Sequence, residues 1–169
     1  VKSHQASASS TSEFVELADS TLGIAATTMA VPVTTTGYKL LKVFIVRASS
    51  SDTNFLLMRL NADGGANYVG TNVRNNAGTI TGLIDPTTSV YAIPDTGAND
   101  NLGIAEFTIN VVTSTAKLIT GTCGNGNNQS LWKIARWTNA VDPITSVDLL
   151  VNGGGNITAG TRVLIYGLS

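Results

Sequence analysis

Leu102-Gly-Ile-Ala-Glu-Phe-Thr-Ile-Asn-Val-Val112 alternates with a period of two. Ile104, Glu106, Thr108 and Asn110 fall on one face, and Ala105, Phe107, Ile109 and Val111 on the other. Successive side chains of a strand point to opposite faces, so this stretch predicts an antiparallel strand with one buried and one wet side. Leu131-Trp-Lys-Ile-Ala-Arg-Trp137 repeats the pattern, setting Trp132, Ile134 and Arg136 opposite Leu131, Lys133, Ala135 and Trp137. Tyr38-Lys-Leu-Leu-Lys-Val-Phe-Ile-Val-Arg-Ala48 is almost continuously β-branched, aliphatic or aromatic, the composition of a central strand.

Working outward, further strand-like runs lie at 13–17, 22–33, 55–60, 68–72, 79–84, 90–93, 117–123, 144–151 and 161–168. Turn signals separate them: Thr34-Thr-Thr-Gly37, Asn75-Asn-Ala-Gly78, Asp85-Pro86, Gly124-Asn-Gly-Asn-Asn-Gln-Ser130 and Asn152-Gly-Gly-Gly-Asn156. Pro32 marks an edge strand or a strand end, because proline cannot donate to a ladder. No segment sustains a helical i, i+3, i+4 pattern. The reading is all-β, an antiparallel β-sandwich of jelly-roll-like form with about eight to ten strands. It is one domain over residues 13–169, preceded by an extended polar N-terminal arm over 1–12. Residues 55–60 are expected to pair with 38–48 as a hairpin.

Composition narrows the function. Only 12% of the 169 residues are charged, and the net charge is −1; the usual charged share is about 25%. Nucleic-acid binding needs clustered Lys and Arg, and anionic membranes attract polybasic segments; neither signal is present. No apolar run reaches the ~18 residues of a membrane-spanning helix. The polar start lacks a signal-peptide core and an initiator Met, consistent with processing or with a fragment. Cys123 is the single cysteine, so no intrachain disulfide forms. The single His, His4, lies in the arm, which leaves Cys123 without an activating partner and reads it as a small apolar residue.

No Ser–His–Asp, paired-carboxylate or zinc-ligand arrangement is visible, so no catalytic, cofactor or metal residues are assigned. Two oxygen-rich clusters have the ligand type of a calcium site. They are Asn61, Asp63 and Asn67, and Asp95, Asn99, Asp100 and Asn101. Both lack the spacing of a calcium loop and read better as Asx-rich turns, with Gly64 and Gly65 supplying positive φ at the first. Arg47 and Arg59 are expected on adjacent strands, within reach of Asp52 or Asp63 or of a neighbouring subunit. Trp132, Trp137, Tyr68 and Tyr91 have the chemistry of a sugar-stacking platform, against which the two tryptophans fall on opposite strand faces; core or subunit contact is the plainer role. The glycines of 152–156 lack the Lys-Ser/Thr and helix of a phosphate loop.

Two segments together carry a resemblance. The first is Tyr38–Ala48 followed by Leu57-Met-Arg-Leu-Asn-Ala-Asp-Gly-Gly-Ala-Asn-Tyr68. The second is Ile144-Thr-Ser-Val-Asp-Leu-Leu-Val-Asn152 with Asn156-Ile-Thr-Ala-Gly-Thr-Arg-Val-Leu-Ile-Tyr-Gly-Leu168. In this order they resemble the β-sandwich domains of tailed-bacteriophage virion structural proteins, over residues ~20–168 with a poor match at 69–115. The resemblance implies a non-enzymatic subunit of a capsid decoration protein, head fibre or tail. It would be located in the virion, assembled as a homo-oligomer (a trimer by analogy with capsid jelly rolls) and bound to a major capsid or other virion protein. The alternatives are a tail or fibre receptor-binding module for bacterial surface glycan, and a cell-surface or secreted carbohydrate-binding module.

Overall fold

The computed structural model describes residues 13–51, 54–94 and 102–169. Twelve strands appear in these segments: β1 Phe14–Thr21, β2 Thr28–Pro32, β3 Leu40–Ala48, β4 Leu56–Leu60, β5 Tyr68–Asn76 and β6 Thr79–Ile84, then β7 Val90–Ile93, β8 Gly103–Asn110, β9 Lys117–Asn125, β10 Gln129–Trp137, β11 Ser146–Val151 and β12 Arg162–Leu168. They form two antiparallel sheets. The larger runs β1-β12-β3-β8-β9-β10-β5-β6 and the smaller β2-β11-β4-β7.

Set aside the hairpins β5–β6 and β9–β10, and the remaining orders are β1-β12-β3-β8 and β2-β11-β4-β7. Successive strands of this reduced set cross between sheets, except β4 and β7, which pair within the smaller sheet, in the manner of an eight-stranded jelly roll. The two inserted hairpins widen one sheet only, which explains why the strand number exceeds the eight to ten expected. Both have tight ends. Ala77 and Gly78 take positive φ of 48° and 91°, and Gly78 N–H donates to Asn75 Oδ1. The β9–β10 ladder closes at Asn125–Gln129, so the reversal is shorter than the polar run 124–130 implied.

The expected hairpin between 38–48 and 55–60 does not exist. β3 pairs with β12 and β8, while β4 pairs with β11 and β7 in the other sheet. Both ladder edges of β3 are thus occupied, and the chain changes sheets between the end of β3 at Ala48 and the start of β4 at Leu56. Ser51 N–H donates to Asn156 O there, and Thr158 N–H to Ser49 O. Pro32 ends β2, which lies at an edge of the smaller sheet, as a missing donor requires.

The inner faces build one core. β8 buries Ala105, Phe107 and Ile109 and leaves Ile104 and Glu106 outside, and β10 buries Leu131, Lys133, Ala135 and Trp137. Leu41, Val43 and Ile45 of β3 and Leu56, Met58 and Leu60 of β4 belong to the same buried cluster. Gly121 is required where β9 passes β8: a Cβ would lie 2.3 Å from Glu106 O and 2.4 Å from Phe107 Cδ1.

Candidate functional site

The turn after β4 is a structural clasp. Asp63 N–H donates to Leu60 O, and the positive φ falls on Asn61 (56°) and Ala62 (52°), not on Gly64 or Gly65. Asparagine tolerates this region, so Asn61 and Ala62 form the mirror-image turn that suits a strand reversal. Asn61 Oδ1 accepts from Thr145 N–H (2.7 Å) and Ser146 N–H (3.2 Å), tying the turn to the start of β11. Asp63 Oδ2 accepts from Trp137 Nε1 (2.6 Å) and Asn67 Nδ2 (2.9 Å), and Oδ1 from Gly65 N–H (2.8 Å). The side-chain oxygens of Asn61 and Asp63 are therefore taken by donors, and Asn67 turns its amide nitrogen toward Asp63. The second Asx cluster, Asp95 to Asn101, lies outside the described residues, as do the arm with His4, and Asp52.

These donors, Trp137 first, hold the Asp63 carboxyl below its ordinary value of 3.8. A carboxylate whose pKa is depressed on folding contributes stability above its unfolded pKa and loses it as pH falls through the folded one. Unfolding free energy is therefore expected to drop below about pH 4. Asp19, also lowered by its bond to Arg162, acts in the same window. Chemical denaturation across pH in wild type and Asp63→Asn checks this: the variant is expected to show a flatter acid limb.

The arginines are not neighbours. Arg47 sits on the bulge at the end of β3 with φ 55°, whereas Arg59 on β4 donates through Nε to Thr88 O at 3.0 Å. The four aromatics do not assemble into a platform either. Tyr68 and Trp137 are buried and stacked, with ring centroids 6.5 Å apart, and Tyr68 Oη accepts from Leu60 N–H. Tyr91 packs on Phe55 at 4.5 Å. Trp132 alone is half exposed, at 51%. Cys123 is buried, and burial pushes its thiol up to about 12, which leaves it protonated and unreactive at neutral pH.

Two features emerge from the tertiary structure. The first is the outer face of the larger sheet. Ile84, Val73, Trp132, Ile134, Leu118 and Ile104 all stand exposed on it, from β6 across to β8. Register aligns Val73 with Trp132, and Trp132 with Thr122. A groove of about 450 Å³ runs beside Trp132, bordered by Val73, Gly82 and Ile134. Further along, Phe14, Phe44, Leu164 and Tyr166 line a second, almost wholly apolar hollow. Charges here are largely paired: Lys42 with Glu106, and Arg162 with Asp19 (Nε–Oδ1 2.7 Å).

The second is a polar cluster sealed between the sheets. Lys133 Nζ lies 2.5 Å from Asp85 Oδ1, with both side chains at zero exposure. The same oxygen accepts from Asn72 Nδ2 (3.1 Å) and Tyr91 N–H (2.9 Å). Asp85 Oδ2 and Asn72 Oδ1 are buried and accept from no described residue. The Tyr91 ring centroid is 5.7 Å from Nζ. Gly70 makes the room, since a Cβ there would sit 2.2 Å from Asp85 Oδ2. Burial pulls the Lys133 ammonium below the ordinary lysine range, and Asp85 opposes that pull. Sequence alone had one signal for this cluster: Lys133 shares the apolar face of β10 with Leu131, Ala135 and Trp137. Asp85, read as a strand-closing residue, had none.

No family model matches the chain, and no curated protein sequence matches it. Among solved structures, the alginate lyase Aly36B is similar over 89% of this chain and 77% of its own, with 13% identity and a TM-score of 0.36. A doubly substituted mutant of the same lyase, in complex with alginate tetrasaccharide, is similar over 89% and 78%, with 14% identity and the same TM-score. Likeness at this level carries no functional weight.

Proposed function

We propose that this protein is a non-enzymatic bacteriophage virion structural subunit, of the capsid decoration or head-fibre kind, that assembles with copies of itself through the outer face of its larger sheet. The observation that carries this reading is the breadth of that apolar face. Isolated surface hydrophobics need no explanation, but contiguous patches mark interaction sites. Eight strands spaced about 4.8 Å apart, each nine residues or fewer at ~3.3 Å, give a surface roughly 34 Å by 30 Å. That is room for the ~800 Å² per partner of a standard interface. With Lys42 paired to Glu106 and Arg162 to Asp19, exposed Arg136 of β10 without an ion pair among the described residues, and a net charge of −1, little like-charge repulsion opposes a second copy. The resemblance in the 38–68 and 144–168 segments supplies the virion context, and through it a trimeric state and a virion-protein partner.

Sedimentation velocity of the full chain tests the assembly. An oligomer is expected for wild type. Ile134→Glu, which changes a side chain 63% exposed in the monomer, is expected to yield a folded monomer. A monomeric wild type without affinity for purified phage shells overturns the proposal.

A second reading rests on Trp132 and its groove. An exposed indole beside a glycine-edged trough suits a sugar ring, which fits a tail receptor-binding module or a carbohydrate-binding module. Saturable binding on a glycan array, lost in Trp132→Ala, would move the assignment there.

A further inference from the structure

We propose that Lys133 and Asn72 become joined by an intramolecular isopeptide bond, with Asp85 as the proton carrier that closes it. Register sets the two residues directly opposite on β10 and β5. Cβ atoms of facing residues are about 4.5–5.5 Å apart, well within the span of a lysine side chain. Both donors already converge on one atom, Asp85 Oδ1, with Nζ at 2.5 Å and Asn72 Nδ2 at 3.1 Å. The nucleophile and the leaving nitrogen thus share one acid–base group.

The chemistry follows from burial. The Lys133 ammonium hands a proton to Asp85 Oδ1 and becomes a neutral amine, a transfer that desolvation favours. The Nζ lone pair attacks Asn72 Cγ, forming the new C–N bond. As the tetrahedral adduct collapses, a proton passes from Nζ to Nδ2, with Asp85 as relay, and the Cγ–Nδ2 bond breaks. Ammonia leaves, a secondary amide joins the strands, and Asp85 ends protonated. No oxidant or external reactant is needed. Fixed proximity and exclusion of water supply the acceleration.

The assignment of roles is also set by the surroundings. A bond from Lys133 to Asp85 itself would need a second acid to carry its protons. The only other acidic residue buried among those described, Asp148, is on β11, where it accepts from Ala62 N–H and Ser146 Oγ. Asn72 is 3% exposed, and its carbonyl oxygen meets no donor among the described residues. It is the amide left available as electrophile.

Mass spectrometry of the denatured full chain tests the bond. The expected mass is about 17 Da below that of the sequence, the loss of one ammonia. Trypsin is expected to release peptide 60–74 joined to 118–136, uncut at Lys133. Asp85→Asn, which keeps the shape but cannot carry the proton, is expected to restore the mass calculated from its sequence and the cut at Lys133. Two outcomes overturn the proposal: free peptide 60–74 with cleavage at Lys133 in wild type, or the mass loss confined to peptide 60–74, which would signify a cyclic imide at one of its asparagines, Asn61, Asn67 or Asn72. Both readings come from wild type alone, so they stand even where the variant fails to fold.

Discussion

Trp137→Ala is expected to lower the unfolding free energy by about 3–5 kcal/mol, the range for removing a large buried aromatic. Trp137 is 1% exposed, stacks on Tyr68, and donates through Nε1 to Asp63 at 2.6 Å. The truncation opens a cavity between the sheets and removes the donor that fixes the clasp at 61–68. Trp137→Phe separates the two contributions: it keeps most of the ring and loses the hydrogen bond, for an expected cost of about 1–3 kcal/mol. Trp132→Ala, five residues away on the opposite face, is expected to stay within about 1 kcal/mol in the isolated chain. Urea unfolding followed by circular dichroism compares the three. Equal losses for the Trp132 and Trp137 variants would contradict the placement of β10.

Lys133→Met is expected to cost about 3–5 kcal/mol, because it strands a carboxylate where neither solvent nor another cation reaches it. Asp85 would keep Asn72 Nδ2 and Tyr91 N–H but lose its closest donor. The same substitution removes any covalent link through Lys133, so the direction holds whether or not that bond has formed. Asp85→Leu alone leaves the ammonium stranded instead. The double variant Lys133→Met/Asp85→Leu is expected to be far less destabilised than the two losses added together, since groups that act as one unit are not additive. Denaturant midpoints and slopes of the four proteins complete the cycle. Additive losses would show that the two side chains do not act as a pair.

Much of the fold was legible because strand periodicity is local. The alternation at 102–112 and 131–137 depends only on which side chains prefer water, and the structure keeps both faces as read. Pro32 marks its strand edge for an equally local reason, the missing N–H. The turn residues at 75–78 and 152–156 lie where their backbone freedom is used: Gly78 and Gly153 to Gly155 all take positive φ. The pairing of strands was not legible. Residues 38–48 and 55–60 are close in sequence, apolar and separated by a polar run, which is the pattern of a hairpin and equally of a sheet-to-sheet crossing. Only the competition among all strands settles it, and β12 and β8 occupy both edges of β3.

The candidate sites divide the same way. Asn61 and Asp63 are recognisable as turn residues, and Gly65 and Asn67 engage Asp63 locally, but the other donors to their oxygens come from Thr145, Ser146 and Trp137, more than seventy residues away. Residue identity by itself determined an all-β chain with alternating faces, few charges, an unactivated cysteine and no recognisable catalytic triad, because composition and period report each residue's own preference for water. The tertiary structure alone decided that Trp132 faces outward on an unusually wide sheet. It alone decided that Lys133, Asp85 and Asn72 meet in a dry interior. Those facts depend on long-range register, and register is set by the summed packing of two sheets, not by any single segment.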